Sequence, residues 1–183
     1  MRRFLLVAAF AAAPAFADPL DLIDYEGIFA REAGAVEDVS ESRQILRVGD
    51  VTILYDRLEA NPYTGLDESG EGAVGCFVSI LATIESAVLA CEVTLPDEQL
   101  AIQTDYRTRV LDFYAANVDG ADRQTVTDRF EALVASQIAT TRPFCANIDL
   151  VTDLADRIFA PQSAEEINGM LSVPRLPVSN PCL

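Results

Sequence analysis

The spacing of apolar and polar residues changes period several times along the chain, and each change predicts an element. Leu22, Tyr25, Ile28 and Phe29 share one helical face within a short amphipathic stretch at 20–29, weakened by Gly27. Residues 35–43 are polar and read as loop. Gln44–Val48 and Val51–Tyr55 are β-favouring runs separated by Gly49-Asp50, the spacing of a hairpin with a two-residue turn. Pro62, Gly65, Asp67, Gly70 and Gly72 make 61–72 a loop.

Residues 73–91 are the most apolar internal stretch. As a buried central helix they place Phe77, Ile80, Leu81, Ile84 and Val88 on a core stripe. A pair of strands competes with this reading, because Leu89, Cys91, Val93 and Leu95 alternate. A membrane span is the third reading; Glu85 inside the stretch, acidic flanks and the lack of a basic anchor speak against it.

Helical periodicity dominates the rest. Pro96-Asp97-Glu98 opens a helix over 97–117, with Ile102, Tyr106, Val110, Phe113 and Tyr114 as its stripe. Gly120 separates it from a second helix over 122–141, marked by Val126, Phe130, Leu133, Val134 and Ile138 and stopped before Pro143. Ile148, Val151, Leu154, Ala155 and Ile158 mark a third. Ser163-Ala164-Glu165-Glu166 has the form of a capping box that opens a fourth. The tail from Pro174 holds three prolines and is not helical. The fold class read from this pattern is mainly α, a disulfide-stapled helical bundle with a small N-terminal β-hairpin. The alternative is α+β, with residues 73–95 as strands.

Arg2-Arg3, the apolar run Phe4–Ala13 and the Ala15-Phe16-Ala17 site have the order of a cleavable secretory signal. The apolar run is shorter than the ~20 residues a bilayer span requires. The expected organisation is a signal at 1–17 and a single mature domain at 18–183. Within that domain 18–72 is the helix, hairpin and loop segment, 73–172 the helical core and 173–183 the proline-rich tail. The predicted localisation is the bacterial periplasm or the exterior.

Export changes the meaning of Cys76, Cys91, Cys145 and Cys182. An even set without a CxxC pair, in an oxidising compartment, reads as two disulfides rather than a zinc site. If 73–91 is a helix, Cys76 and Cys91 lie about 22 Å apart at 1.5 Å per residue. That is beyond the roughly 7 Å reach of a bridge. In an up-and-down arrangement the chain descends through 97–117 and returns through 122–141, bringing Cys145 back to Cys91. The expected bridges are Cys91–Cys145 and Cys76–Cys182. Strands at 73–95 would reopen Cys76–Cys91.

The formal net charge is −16, every basic residue is arginine, and the chain has no His and no Trp. Such a balance opposes binding to nucleic acid or anionic lipid. Without His or Lys, the hydrolases that depend on histidine, Schiff-base chemistry and Ser–Lys dyads are excluded within this chain. Carboxylate chemistry survives. Asn117-Val118-Asp119-Gly120 lacks both key ligands of a calcium loop, so no metal, cofactor or catalytic residue is assigned.

The weak candidates for an acid or cation-binding role are Asp67, Glu68, Glu71 and Glu85. The first three gather on the 61–72 loop and read chiefly as solvated. Glu68-Ser69 resembles, over two residues, the Glu-Ser dipeptide of peptidoglycan-cleaving transglycosylases, which implies Glu68 as a general acid. Glu85 stands alone in the apolar stretch; it is expected on the polar edge with Ser79, Thr83 and Ser86, or, if buried, paired with Arg107 or Arg109. Tyr106, Phe113 and Tyr114 read as core.

The functional expectation is an exported, non-enzymatic binding or accessory protein whose acidic surface meets a basic periplasmic protein. The alternatives are a small carboxylate-dependent hydrolase of cell-wall glycan and a membrane-tethered accessory subunit held by 73–91. No stable membrane association is expected after signal cleavage.

Overall fold

The computed structural model of the protein describes residues 18–182. The signal expected at 1–17 lies outside the described residues. The described residues form six α-helices and a four-stranded antiparallel sheet. In order these are α1 (Tyr25–Arg31), β1 (Glu37–Asp38), β2 (Arg43–Val48), β3 (Val51–Asp56) and β4 (Tyr63–Asp67). The helical part follows as α2 (Val74–Cys91), α3 (Asp97–Asn117), α4 (Arg123–Thr141), α5 (Asp149–Ile158) and α6 (Ser163–Met170).

The first helix begins later than its periodicity suggests. The Asp18 carboxylate accepts the backbone N–H groups of Leu20, Leu22 and Ile23 at 3.0, 2.5 and 2.8 Å, which holds 18–23 in a non-helical turn. Asp24 then caps α1 by accepting from the Gly27 N–H at 2.8 Å.

The hairpin has the register its sequence implies, with Val48 opposite Val51 and Gln44 opposite Tyr55. Gly49 takes φ +58° at the first turn position, a conformation that costs glycine little. The sheet is larger than a hairpin, however. β1 extends it on one side and β4 on the other, in order β1-β2-β3-β4, so parts of both expected loops are strands. The reason at β4 is tertiary. Gly65 reads as a breaker, yet a Cβ there would lie 2.2 Å from Val178 Cγ1 and 3.2 Å from the Tyr25 hydroxyl oxygen. Its missing side chain lets the tail and α1 close on the strand.

Residues 74–91 are one helix, not strands. α2 has the length and apolarity of a membrane span, with mean hydropathy 2.0, but 61% of it is buried inside the fold. It packs against α4, α3 and α5. Phe77, Leu81 and Ile84 of its stripe are fully enclosed, and Ile80 and Val88 are half-buried. The opposing core is built by Tyr106, Val110 and Tyr114 from α3 and by Val126, Phe130 and Val134 from α4. α6 lacks the expected capping box: the Ser163 hydroxyl donates to the Arg157 carbonyl at 2.7 Å, and Gln162 ahead of it is already in helical conformation.

Cys76 is bonded to Cys182 and Cys91 to Cys145, with Cα–Cα distances of 5.1 and 5.3 Å. The second joins the end of α2 to a 3₁₀ segment (Arg142–Asn147) after α4. The first fastens the tail across the start of α2. Along that tail, Asn180 O accepts from the Asp67 N–H at 2.7 Å and Val178 O from the Gly75 N–H at 2.9 Å. Two structural disulfides are the signature of an oxidising, extracytoplasmic environment.

Candidate functional site: an aromatic groove with an acidic rim

The three carboxylates of the 61–72 segment go to three different neighbours. Asp67 is not solvated: its Oδ2 accepts from Arg175 Nε at 2.6 Å, with both side chains buried, and its Oδ1 accepts from the Ser69 N–H and hydroxyl. Glu68 is exposed, and its Oε2 accepts from the Thr52 hydroxyl at 2.8 Å. Glu71 is exposed and lies over α6, where a Cβ on Gly169 would come 2.6 Å from its Oε2. The group that Ser69 contacts is Asp67, and Glu68 is exposed, whereas general-acid chemistry uses an apolar wall.

Glu85 is drawn into an inter-helix pair instead of standing alone on a polar edge. Arg107 Nη1 donates to Glu85 Oε1 at 3.0 Å and Nη2 to Glu131 Oε1 at 3.0 Å, while the guanidinium lies 5.0 Å from the Phe130 ring centroid. This links α2, α3 and α4. Burial raises the Glu85 carboxyl above its ordinary range; the Arg107 charge opposes this and Glu131 adds to it.

The side chains that remain open for recognition lie elsewhere, where α1 crosses the sheet. The β2–β3–β4 register sets Gln44, Tyr55 and Tyr63 side by side in one row. Across this row α1 lays Glu26, Phe29 and Ala30, spaced i, i+3 and i+4 so that they share one face, and the 3₁₀ turn Ala33–Ala35 adds Ala33. Together they line a groove of about 400 Å³. The rings are in contact with one another. Tyr55–Tyr63, Phe29–Tyr63 and Phe29–Tyr55 centroids are 5.1, 5.5 and 6.1 Å apart, and Tyr25 stacks beneath Tyr63 at 5.6 Å. Phe29, Tyr55 and Tyr63 are partly buried, each with some ring surface left open.

Glu26, on the exposed first turn of α1, is the one charged residue lining this groove among the described residues. Gln44 has its amide nitrogen engaged by Asp38 Oδ1 at 2.9 Å, which leaves Oε1 as the acceptor end of that side chain. The Tyr63 hydroxyl is pushed above its usual pKa by burial first, then by the negative charge of Glu26, by Tyr55 and by Asp24. The local field is therefore negative, and the groove offers π-faces and acceptors to a cation.

A larger cleft of about 670 Å³ lies between α1, the β2–β3 turn, the α3–α4 loop and the tail. Its floor is apolar, from Ile23, Ile28, Val48, Val118 and Leu176, and of its charged lining residues Arg31, Asp119 and Arg175 are held in ion pairs, Asp24 caps α1 and Glu32 is exposed. Arg31 pairs with Asp119 at 3.1 Å, and Arg175 gives its N–H groups to Asp67 and three carbonyls. Among the described residues no cluster of three His, Cys, Asp or Glu has the geometry to hold a metal.

The sequence pattern does not bring Phe29, Tyr55 and Tyr63 together, because they become neighbours only when α1 crosses the sheet and β4 pairs with β3. Tyr106, Phe113 and Tyr114 are core. No family model, curated protein or solved structure matches the chain.

Proposed function

We propose that the chain is an exported, non-enzymatic binding or accessory protein of the bacterial periplasm or exterior, and that its acidic surface meets a basic protein partner. The observation that carries this reading is the aromatic groove between α1 and the sheet, in which Glu26 is the sole charge among the described residues. Partly open aromatic rings beside a carboxylate favour a cationic contact, and aromatic side chains are the common anchors of protein interfaces.

The distribution of charge supports the same reading. Among the described residues seven arginines form eight ion pairs with the protein's own acids. Eight of the 29 acids are matched in this way, so most of the negative charge is left for an outside partner. Such a surface steers a basic partner toward encounter and repels nucleic acid. The N-terminal signal pattern and the two disulfides support an exported route and an oxidising compartment.

Tyrosine emission gives a direct test, because the chain has five tyrosines and no tryptophan. The protein is titrated with a basic peptide of alternating arginine and lysine, and with an acidic peptide of equal length. Saturable binding of the basic peptide is expected, weakened by salt and by Glu26→Gln. Absence of saturable binding, or equal response to both peptides, would sink the reading.

A further inference from the structure

We propose that the groove takes an arginine side chain of the partner, its guanidinium laid against the rings of Phe29, Tyr55 and Tyr63 with its N–H groups on the Glu26 carboxylate. This rests on the reading of the groove as the partner's seat.

The protein itself contains the arrangement twice. Arg107 lies 5.0 Å from the Phe130 centroid while donating to Glu85 and Glu131. Arg175 lies 5.8 Å from the Phe113 centroid while donating to Asp67. Each is a ring, a guanidinium and a carboxylate in contact. The groove has the ring face and the carboxylate, and among the described residues no arginine lines it. A third guanidinium, brought by another chain, completes the set.

Geometry selects this cation over others. With centroids only 5.1–6.1 Å apart, the three rings touch and leave no gap between them for a cation to enter. A quaternary ammonium, which gains most from being surrounded by rings, therefore has no cage here. A lysine ammonium is compact and strongly hydrated, and it loses more water than one outer ring face returns. A guanidinium is planar and weakly hydrated; it stacks on an outer ring face and still points N–H donors sideways. The acceptors it needs are at the groove: the Glu26 carboxylate and the Gln44 Oε1, whose amide is oriented by Asp38.

The deciding experiment compares an arginine-only with a lysine-only peptide of equal length and charge. Binding to the full exported protein is followed by tyrosine emission and by NMR of the Tyr55 and Tyr63 ring signals. Acetyl-arginine amide, acetyl-citrulline amide and tetramethylammonium serve as small probes. The arginine peptide is expected to bind about fivefold more tightly than the lysine peptide. That preference is lost in Glu26→Gln and in Tyr55→Leu while circular dichroism is unchanged. Acetyl-arginine amide shifts the ring signals, and the citrulline and tetramethylammonium probes do not. Equal affinity for the two peptides, or arginine binding that leaves the rings unshifted, overturns the arginine assignment while a basic partner stands. Failure of both peptides to bind overturns the assignment together with the reading beneath it.

Discussion

Arg175 and Asp67 meet in the interior, Nε to Oδ2 at 2.6 Å, with each side chain only 1% exposed. Three further donors of the guanidinium are used: Nη1 donates to the Met170 and Val173 carbonyls and Nη2 to that of Gly72. The pair locks the tail to the end of β4 and to the loop that leads into α2. Taking away one partner leaves a buried charge uncompensated, a change that costs about 3–5 kcal/mol. Asp67→Asn and Arg175→Met are each expected to lose stability on that scale in urea denaturation. The double variant should lose clearly less than the sum, although the three carbonyls remain short of donors. Strict additivity of the two single losses would show that the residues are not coupled.

The close approach of the tail to β4 can be tested at Gly65. A Cβ there would overlap the buried Val178 side chain, and overpacking of this kind costs about 1–3 kcal/mol. Gly65→Ala should therefore lower the unfolding temperature, and adding Val178→Ala should recover part of the loss by making room. A Gly65→Ala protein as stable as the parent would mean that the tail stands away from the strand.

These two contacts show where the sequence is readable. α3 and α4 are legible because their apolar stripes and start signals are local: Pro96 with Asp97 and Glu98, and Asp122 capping Thr125. The hairpin is legible because Gly49-Asp50 sets its register. β4 is not, since its interior glycine is a turn signal until Val178 arrives from the far end of the chain. The groove inherits that blindness, because Tyr55 and Tyr63 are paired only once β4 exists. Ser163 misleads for a different reason. The chain enters α6 already helical at Gln162, so no extended N-cap residue is present and the serine hydroxyl turns back to Arg157. Asp67 reads as a solvated loop acid because Arg175, its partner, is separated by 108 positions.

The two disulfides should separate by location. Each closes a long loop, of sequence separation 106 and 54, and bridges typically stabilise by ~2–4 kcal/mol. Both Cys→Ala pairs are therefore expected to destabilise the protein globally. Only Cys76→Ala with Cys182→Ala should also open the tail locally. Hydrogen exchange at the Asp67 and Gly75 amides, which donate to Asn180 O and Val178 O, reads this out. Faster exchange at these two amides is expected in that variant and not in the Cys91→Ala, Cys145→Ala variant. Equal acceleration in both would mean that the tail is held without its bridge.

Glu85 gives the protein a pH dependence whose sign is opposite to that of an ordinary paired carboxylate. Its side chain is 20% exposed, and the one cation it faces, Arg107, is shared with Glu131. Burial raises the carboxyl above its ordinary value of about 4, with Arg107 opposing and Glu131 reinforcing the shift. A carboxyl raised in this way holds its proton more tightly folded than unfolded. Between the ordinary value and the raised one the folded state binds more protons, so this group's contribution to stability falls as pH rises through that window and is constant above it. Glu85→Gln removes the titration and leaves Arg107 with Glu131 and Phe130, which keeps the variant within about 1 kcal/mol of the parent at neutral pH. The parent-minus-variant difference in unfolding free energy, measured in urea from about pH 4 to about pH 7, is expected to decrease. A difference that grows with pH would mean that Arg107 outweighs burial and holds Glu85 ionised.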